Sequence, residues 1–352
     1  MLPNISDVAH LAGVSTATVS RYLRGLPVRS SDAIKNAIAK LDYHPSSVAQ
    51  GLRSGIHYTI AVVVPDITNP FFASVVKGIE SICREGPYQV LLLNTDENSK
   101  IEYEVLQEIV KRVDGVILTP ATEGTYKANH FQQFGKRGIP LVLVDREIPE
   151  HEFDCVLIDN LKGASLAGEK LVQLGHTKIA TIRGTLTTTP GLERYEGFRD
   201  TLQKLGVELR PEYCKDGKFR ESGGYQAMLE LASLPTPPTA VFSANNLMTV
   251  GALKALNALR IPVPEKISII GFDDLQLGEL LAPPLTCISR DAMRQGAIAA
   301  RMLLTQLNGT PPTTAEKIVL DVNLVERKSC RKLEALKETA YLGEKLERGV
   351  GE

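Results

Sequence analysis

The hydrophobic positions of the chain follow two different patterns, and the change comes near residue 59. Before it, apolar residues recur every three or four positions, as in Val8, Leu11 and Ala12, which is the spacing of one helix face. After it, continuous apolar runs alternate with amphipathic segments, beginning with residues 60–64. Such runs are typical of strands that are buried on both faces of a parallel sheet. The patterns predict a small helical domain followed by a larger α/β domain.

The first forty residues carry start and stop signals for three helices. Ser6 is predicted to cap the first helix, and Gly13 to end it, because glycine readily adopts the left-handed conformation of helix ends. Ser15 is predicted to cap the second helix, which Gly25 closes, and a third helix is predicted over Ser31 to Leu41. Two short helices joined by a tight glycine-containing turn are the helix-turn-helix signature. The spacing alone leaves a generic helical bundle as the alternative.

The second predicted helix carries side chains that suit the edges of DNA bases. In a helix-turn-helix the N-terminal residues of this helix reach the major groove, and here they are Thr16 and Ala17. Arg21 lies one turn further on the same face, where it could pair with a guanine or contact phosphate. Residues 1–60 carry six bases and three acids, in a chain whose net charge is −1. This basic head favours an anionic partner.

A short segment that could form a helix lies between the two domains. It begins at Pro45, ends in Ser54-Gly55, and is too short to hold a helix alone in water. A segment that folds only on binding can act as a switch. Nothing local would bury Leu52, whereas insertion between base pairs from the minor groove would.

The string from Ile5 to Arg21, ISDVAHLAGVSTATVSR, resembles the headpiece of the LacI/GalR family of bacterial repressors. The pattern of Tyr43, Pro45, Ala49 and Leu52 resembles that family's hinge helix, whose leucine intercalates at the operator centre. Ser46 is a departure, because the family usually has asparagine after the proline. The expected DNA contacts are Ser6, Thr16, Ala17, Thr18, Arg21, Tyr22, Arg29, Ser46, Ala49 and Leu52.

The resemblance also implies a fold for the body of the chain. It is expected to form two Rossmann-like α/β lobes, similar to type I periplasmic binding proteins, with three crossings between the lobes and the ligand in the cleft. The expected boundaries are 1–44 for the headpiece, 45–58 for the hinge, 59–328 for the body, and 329–352 for a solvated, charged tail. Lobe 1 is expected at about 59–159 and 290–319, and lobe 2 at about 161–288 and 320–328.

Candidate effector-binding residues follow the predicted strands, because ligands of open α/β folds sit at the carboxyl ends of strands. Asp145, Asn245 and Asp273 occupy such positions and could bind ligand hydroxyls. The resemblance implies a pocket role for at least one of Phe71 and Phe72, in an Asn-Pro-Phe-Phe motif. It implies the same role for Arg194, in an R-x-x-G-F pattern. The alternatives are simple packing for the phenylalanines and solvated loop positions for the others.

Two further positions bear on the charge of the effector. Arg183 ends a predicted strand where a small residue is more usual, and Asn246 stands where the family usually has aspartate. Together they would make the cleft more positive and favour an anionic effector such as a sugar acid or sugar phosphate. The equal alternative is that Arg183 points to solvent.

Several other classes of protein are disfavoured. The five cysteines are scattered without a C-x-x-C pair, and the six histidines lack metal-ligand spacing, so no metal or cofactor is expected. The chain lacks the common nucleotide-binding, metalloprotease and nucleophile-elbow motifs, so it is not expected to be an enzyme. A transport protein would predict a secretory signal, which the N-terminus does not resemble. The sequence therefore predicts a cytoplasmic, homodimeric repressor that binds palindromic operator DNA and a carbohydrate effector.

Overall fold

The computed structural model describes residues 3–23, 25–43, 56–121, 131–148, 151–309 and 314–333. No helix in these ranges is long and apolar enough to cross a membrane. The predicted hinge residues Ser46, Ala49 and Leu52 lie outside the described residues. Their roles therefore stay predictions.

Three helices form the headpiece: α1 (Ile5–Ala12), α2 (Thr16–Leu23) and α3 (Ser31–Leu41). Their core consists of Val8, Ala9, Val19, Ile34 and Ala37. These side chains come from all three helices at helical spacing, as the periodicity predicts. The predicted limits of the third helix are confirmed.

The ends of α1 confirm one predicted signal and correct another. Gly13 follows the helix with φ of +64°, as expected of a left-handed helix end. The N-cap is Asn4 rather than Ser6, because the Asn4 side chain accepts from the N–H groups of Ser6 and Asp7. The Asp7 carboxylate in turn accepts from the Asn4 N–H at 2.8 Å. A capping box needs a side-chain acceptor three residues after the N-cap. Asp7 stands at that distance from Asn4, so Asn4 is the N-cap.

The body contains twelve strands within the described residues: β1 (Thr59–Val64), β2 (Gln89–Asn94), β3 (Gly115–Leu118), β4 (Leu141–Val144), β5 (Asp154–Ile158), β6 (Ile179–Arg183), β7 (Cys214–Asp216), β8 (Ala240–Ser243), β9 (Ser268–Phe272), β10 (Thr286–Ser289), β11 (Lys317–Leu320) and β12 (Asn323–Val325). Its α-helices are α4 (Pro70–Cys83), α5 (Ser99–Ile109), α6 (Gln132–Arg137), α7 (Asn160–Gln173), α8 (Thr189–Lys204), α9 (Glu221–Ala232), α10 (Asn246–Ala258) and α11 (Ala292–Asn308).

The strands form two six-stranded sheets. The first has the order β11-β5-β4-β3-β1-β2, and all its pairings are parallel. The second has the order β12-β10-β9-β8-β6-β7, with β12 antiparallel to β10. The chain passes between the sheets after β5, after β10 and after β11. We call the first sheet with α4–α6 and α11 lobe 1, and the second with α7–α10 lobe 2.

The first strand shows why its sequence is a continuous apolar run. Ile60, Val62 and Val64 pack into the core on one face of the sheet, and Ala61 and Val63 pack into the core on the other. Side chains alternate between the faces of a strand, so a sheet covered on both sides needs apolar residues at every position.

A close helix contact fixes α11, which begins just after the second crossing. A side chain at Gly78 would meet the Met293 carbonyl oxygen at 2.0 Å, and one at Gly296 would meet the Val75 carbonyl oxygen at 2.1 Å. The two glycines therefore allow α4 and α11 to pack backbone to backbone. Arg290 lies just before the first residue of α11.

The predicted start of the charged tail needs a correction. Ser329 is buried, and its hydroxyl donates to the Ile269 carbonyl at 2.7 Å. The Leu333 N–H donates to the Leu174 carbonyl at 2.8 Å. Residues 329–333 therefore pack on lobe 2, so the boundary at 329 was placed too early. Residues 334–352 lie outside the described residues.

Candidate functional site

A narrow cleft separates the carboxyl ends of the strands of the two lobes. Its lining includes six of the seven predicted effector residues: Phe71, Phe72, Asp145, Arg194, Asn245 and Asp273. The space left between these side chains is about 30 Å³. This volume accommodates about one water molecule. In this conformation, the side chains of the two lobes therefore fill most of the cleft.

Asp145 and Asp273 occupy equivalent places in the two lobes. Each is the first residue after a strand, β4 or β9, and each has a left-handed backbone, with φ of 71° and 68°. Aspartate in this region stores strain of about 1 kcal/mol or more, and such strain concentrates at functional sites. The Asp145 N–H donates to the Val156 carbonyl at 3.0 Å, and the Asp273 N–H donates to the Ile288 carbonyl at 2.8 Å. These bonds to the next strand hold both carboxylates in the cleft.

Arg290 lies between these two carboxylates. Its Nε and Nη2 donate to the Asp273 carboxylate at 2.5 and 3.1 Å, and its Nη1 donates to Asp145. The guanidinium carbon lies 3.6 Å from the centroid of the Phe71 ring. Burial would raise the pKa of Asp145, but Arg290 and the neighbouring arginines outweigh it and hold that pKa below its usual value. One buried guanidinium therefore bridges two buried carboxylates.

Arg146 forms a second buried ion pair next to the first. Its Nη1 and Nη2 donate to the two oxygens of Glu97 at 2.8 and 2.9 Å. The guanidinium lies 5.9 Å from the Phe72 ring centroid and 5.7 Å from that of Phe219, which belongs to lobe 2. Arg146 thus contacts both walls of the cleft.

Arg194 of α8 is the third buried guanidinium. Its Nε donates to the Asn160 side chain at 2.8 Å, and its Nη1 donates to the Ala244 carbonyl at 2.6 Å. Its carbon lies 3.6 Å from the Phe272 ring centroid. Burial and the nearby Arg290 lower the pKa of Arg194 to about 10. Its Nη2 is buried and has no hydrogen-bond partner among the described residues, so it can donate to a ligand oxygen.

Asn245 and Asn246 connect the cleft to α10. The Asn245 side chain caps the helix by accepting from the Met248 N–H at 2.8 Å, and its amide donates to the Phe219 carbonyl at 3.3 Å. Asn246 donates to the Asn69 side-chain oxygen of lobe 1 at 2.7 Å. Asn246 thus joins the two lobes directly.

The structure does not bring Arg183 to the cleft. Its Nη1 donates to the Gly184 carbonyl at 3.2 Å and lies 3.4 Å from the Asp216 carboxylate. Arg183 and Asp216 are register partners on β6 and β7, so the neighbouring edge strand supplies the counter-ion. The prediction that Arg183 adds positive charge to the cleft was therefore wrong.

Among the lining residues missed as ligand-binding candidates are four with buried polar side chains: Asn69, Glu97, Arg146 and Arg290. Arg146 directly follows the predicted Asp145, and Arg290 lies at a predicted crossing, so position along the chain could have indicated both. Asn69 belongs to the Asn-Pro-Phe-Phe motif, in which only the phenylalanines were predicted to lie in the pocket. No signal in the sequence indicates Glu97, because its partner Arg146 is 49 residues away.

The headpiece exposes most of its predicted DNA contacts. Ser6, Thr16, Ala17, Arg21 and Arg29 are all exposed. Thr18 and Tyr22 are only half-buried. The Thr18 hydroxyl lies 2.9 Å from the hydroxyl of Ser15, and Tyr22 packs against the headpiece core. The exposed set of α2 is therefore Thr16, Ala17 and Arg21.

Comparisons with known proteins agree with this arrangement. Residues 4–46 match the bacterial regulatory proteins of the lacI family, and residues 169–330 match the periplasmic binding protein-like domain. The ribose operon repressor of Escherichia coli K12 is 34% identical over 332 residues, which cover 93% of this chain and all of that protein. The chain belongs to the LacI family.

Other LacI-family members have similar sequence identity to this chain. The transcriptional repressor PurR of Pasteurella multocida is 33% identical over 336 residues, covering 94% of this chain and 99% of that protein. The structure of a LacI-family regulator from Enterococcus faecium with bound ribose is 31% identical with a TM-score of 0.69. The matched region covers 78% of this chain and all of the Enterococcus faecium chain. The likeness therefore extends over both the headpiece and the body, and these relatives are transcriptional regulators rather than enzymes.

Proposed function

We propose that this LacI-family protein is a transcriptional repressor whose affinity for operator DNA is controlled by a neutral sugar bound between the lobes. The observation that carries the proposal is the buried cluster of hydrogen-bonding charges at the facing strand ends. Carboxylates accept hydrogen bonds from sugar hydroxyls, and guanidinium groups donate to them. The ribose bound to the Enterococcus faecium relative supports a sugar as the effector.

The charge of the cleft favours a neutral sugar over a sugar acid. The buried arginines Arg146, Arg194 and Arg290 are matched in number by buried carboxylates. Those carboxylates are Glu97, Asp145 and Asp273. Burying an uncompensated charge is costly, so a cleft of balanced charge accommodates a neutral ligand best. The anionic alternative depended on Arg183 and Asn246 together. Arg183 pairs with Asp216 instead, and Asn246 donates to the Asn69 side chain.

The headpiece supplies the DNA-binding half of the proposal. Thr16, Ala17 and Arg21 form an exposed face on the second helix of the helix-turn-helix, where base contacts are made in such motifs. A homodimer would place two such faces on a palindromic operator, in the cytoplasm where the DNA is. Effector binding would change the relation of the lobes and, through the hinge, the operator affinity.

An apolar face on lobe 2 suits the contact between two copies. Leu277 and Leu280 are 64% and 80% exposed, beside a groove lined by Val250, Leu253 and Leu281. Exposed apolar patches of this kind mark interaction sites, and a palindromic operator requires a second copy. The variant Leu280→Lys should shift sedimentation towards the monomer and weaken operator binding. The exposed Leu205→Lys, on another part of lobe 2, is the matched control.

The function is tested by selecting binding sites from a random duplex pool at near-physiological salt, with and without a panel of sugars and sugar acids. The expected result is enrichment of a palindrome, with an affinity that a neutral sugar changes. A panel in which only sugar acids act would contradict the neutral effector. Failure to enrich any site under all conditions would contradict the DNA-binding function.

A further inference from the structure

Four exposed bases lie together at the end of lobe 1 that is opposite to the cleft. They are Lys111, Arg112, Lys136 and Arg137, which we call the basic patch. The first two come shortly before β3 and the last two shortly before β4, and these strands are parallel neighbours. Parallel neighbours have their amino ends at the same edge of the sheet, so the two pairs of bases meet there.

The basic patch has no counter-ion within the ranges that the structure describes, where none of its four side chains forms an ion pair. Glu108, one turn earlier on α5, also forms no ion pair there. The carboxylate of Asp114 accepts from the N–H groups of His57 and Thr59 at 2.8 and 3.1 Å, so backbone groups use both of its oxygens. Residues 111–114 and 136–140 therefore carry four bases against one acid.

The same edge of lobe 1 receives the chain from the hinge. Strand β1 begins at Thr59, with its amino end beside that of β3. The hydrogen bonds of Asp114 fasten residues 57 and 59 to the loop that carries Lys111. A surface pocket of about 400 Å³ is lined by Ile56, His57, Lys111 and Arg137. The basic patch thus borders the point where the hinge enters the body.

The length of the hinge limits how far this edge can lie from the operator. His57 follows Leu52 by five positions, and Leu52 is predicted to insert between base pairs. An extended chain spans at most about 3.6 Å per residue, so the two α-carbons lie within about 18 Å of each other. Each DNA strand carries a phosphate about every 3.4 Å. This limit brings the edge of lobe 1 close to the phosphates on either side of the inserted leucine.

A simpler role for the four bases is to stabilise helix ends. Lys136 and Arg137 lie in the last turn of α6, and Lys111 comes shortly after α5, where cations compensate the partial negative charge of a helix end. The same role suits Lys204, in the last turn of α8 in lobe 2. Helix ends do not require four bases to meet at the one edge that borders the hinge, whereas a polyanion at this edge would.

We propose that the basic patch of lobe 1 is a second DNA-contacting surface, which binds backbone phosphates near the centre of the operator while the headpieces read the bases. Exposed bases neutralise phosphates and release counterions, which adds affinity. Phosphate contacts position a protein on DNA but carry no sequence information. The inference rests on the proposed function, because the position of the hinge on the operator defines which phosphates the patch reaches.

The first test removes charge from the basic patch in the full-length protein. Lys111→Gln with Arg137→Gln should weaken binding to the selected operator and to random-sequence duplex by a similar factor, at least about tenfold near 0.1 M salt. A dimer loses four phosphate contacts, so the slope of log affinity against log salt should become shallower by about 3.6. Sugar affinity should not change, because the cleft lies at the opposite ends of the strands.

The matched control is Lys178→Gln with Lys204→Gln in lobe 2. Both lysines are exposed and form no ion pair with the described residues. Lys178 directly precedes β6, so it occupies the amino edge of the other sheet. This control should keep the operator affinity and the salt slope of the parent protein. Lys111→Arg with Arg137→Lys keeps both charges and should also keep the salt slope.

The second test asks whether the bases touch phosphate directly. Phosphates near the operator centre are replaced one at a time by neutral methylphosphonates. In the parent protein, replacement of a contacted phosphate should weaken binding. In Lys111→Gln with Arg137→Gln the same replacement should have a much smaller effect, because groups in contact give non-additive losses. A purely structural role of the bases would leave the two losses additive.

Three results would overturn the proposal: an unchanged salt slope in the patch variant, an equal loss in the lobe 2 control, or additive losses at every replaced phosphate. Calorimetry with inorganic phosphate tests a small anion as the occupant. Phosphate binding that the patch variant loses, with operator affinity unchanged, would assign the patch to a small anion instead. If the patch variant does not fold by circular dichroism, Arg112→Gln with Lys136→Gln removes the other two bases and is measured in the same way.

The experiment separates this inference from the proposed function. If the random pool yields no operator, the repressor function fails. The salt slopes of the parent protein and the patch variant on random-sequence duplex still decide whether lobe 1 contacts phosphates, because such contacts do not depend on sequence.

Discussion

The headpiece and the cleft carry opposite arrangements of charge. The headpiece presents Arg21 and Arg29 to solvent around a core of five small and medium apolar residues. The cleft buries its arginines and pairs Arg146 and Arg290 with carboxylates. Exposed charges act over distance and are screened by salt, whereas buried pairs are screened much less. The proposed function therefore assigns a polyanionic ligand to the exposed charges of the headpiece and a neutral ligand to the balanced charges of the cleft.

The largest expected difference between the two regions is the effect of salt concentration on their binding affinities. Raising salt from about 50 to 200 mM should weaken operator binding by about a thousandfold or more, because counterions are released when phosphates are contacted. Sugar affinity, measured by calorimetry over the same range, should change by less than about twofold, since buried charges are poorly screened. Equal salt dependence of the operator affinity and the sugar affinity would contradict this contrast between the headpiece and the cleft.

Removal of Arg194 should abolish the sugar response while operator binding is retained. Hydrogen bonds to a charged group contribute about 1.5–3 kcal/mol each, so Arg194→Ala should weaken sugar binding by about a hundredfold. Calorimetry and gel shift, with circular dichroism to check folding, measure the two functions. Arg199→Ala is the control, because Arg199 is a half-buried arginine on the same helix that pairs with Asp200. A normal sugar response in Arg194→Ala would remove this residue from the site.

Removal of Arg21 should affect only the headpiece. Arg21→Ala should weaken specific operator binding by about 1–3 kcal/mol, as for an arginine that contacts a base. Sugar affinity should not change. Lys35→Ala, an exposed base on α3, is the matched control. An equal loss on operator and random DNA would show that Arg21 contacts phosphate rather than a base.

Acidification should produce the smallest of the expected effects, a loss of stability in the body of the chain. His176 is fully buried, with Nε2 3.1 Å from the Arg331 carbonyl and Nδ1 2.9 Å from the Thr239 hydroxyl. Burial lowers the pKa of His176 below its usual 6.5. The folded protein therefore binds fewer protons, so its contribution to stability is complete above pH 6.5 and decreases as the pH falls below that value.

Thermal unfolding of lobe 2 between pH 7.5 and 5.5 measures this effect. The melting temperature should fall on acidification, and His176→Gln should show a smaller fall than the parent protein. An identical dependence on pH in the two proteins would exclude His176 as the source.

Local signals predicted the parts of the site that belong to single elements. Asparagine followed by proline is a local signal for a helix start, and α4 begins at Pro70 with Asn69 as its cap. Asp145 and Asp273 were found because they directly follow apolar strands. Arg183 satisfied the same rule, yet the three-residue strand β7 places Asp216 beside it. The end of a strand can be inferred from the sequence, but the neighbour across the sheet cannot.

By itself, the sequence determined the helical headpiece, the α/β body and the family, because these depend on periodicity, caps and motifs within short stretches of chain. Only the tertiary structure decided which charges meet. Arg290 and Asp145 are 145 residues apart, and Asn246 and Asn69 are 177 residues apart. Each of these side chains has several partners of suitable chemistry in the sequence. The packing of the two sheets selects one, since charges in a closed cleft are stable only when each lies within reach of its partner.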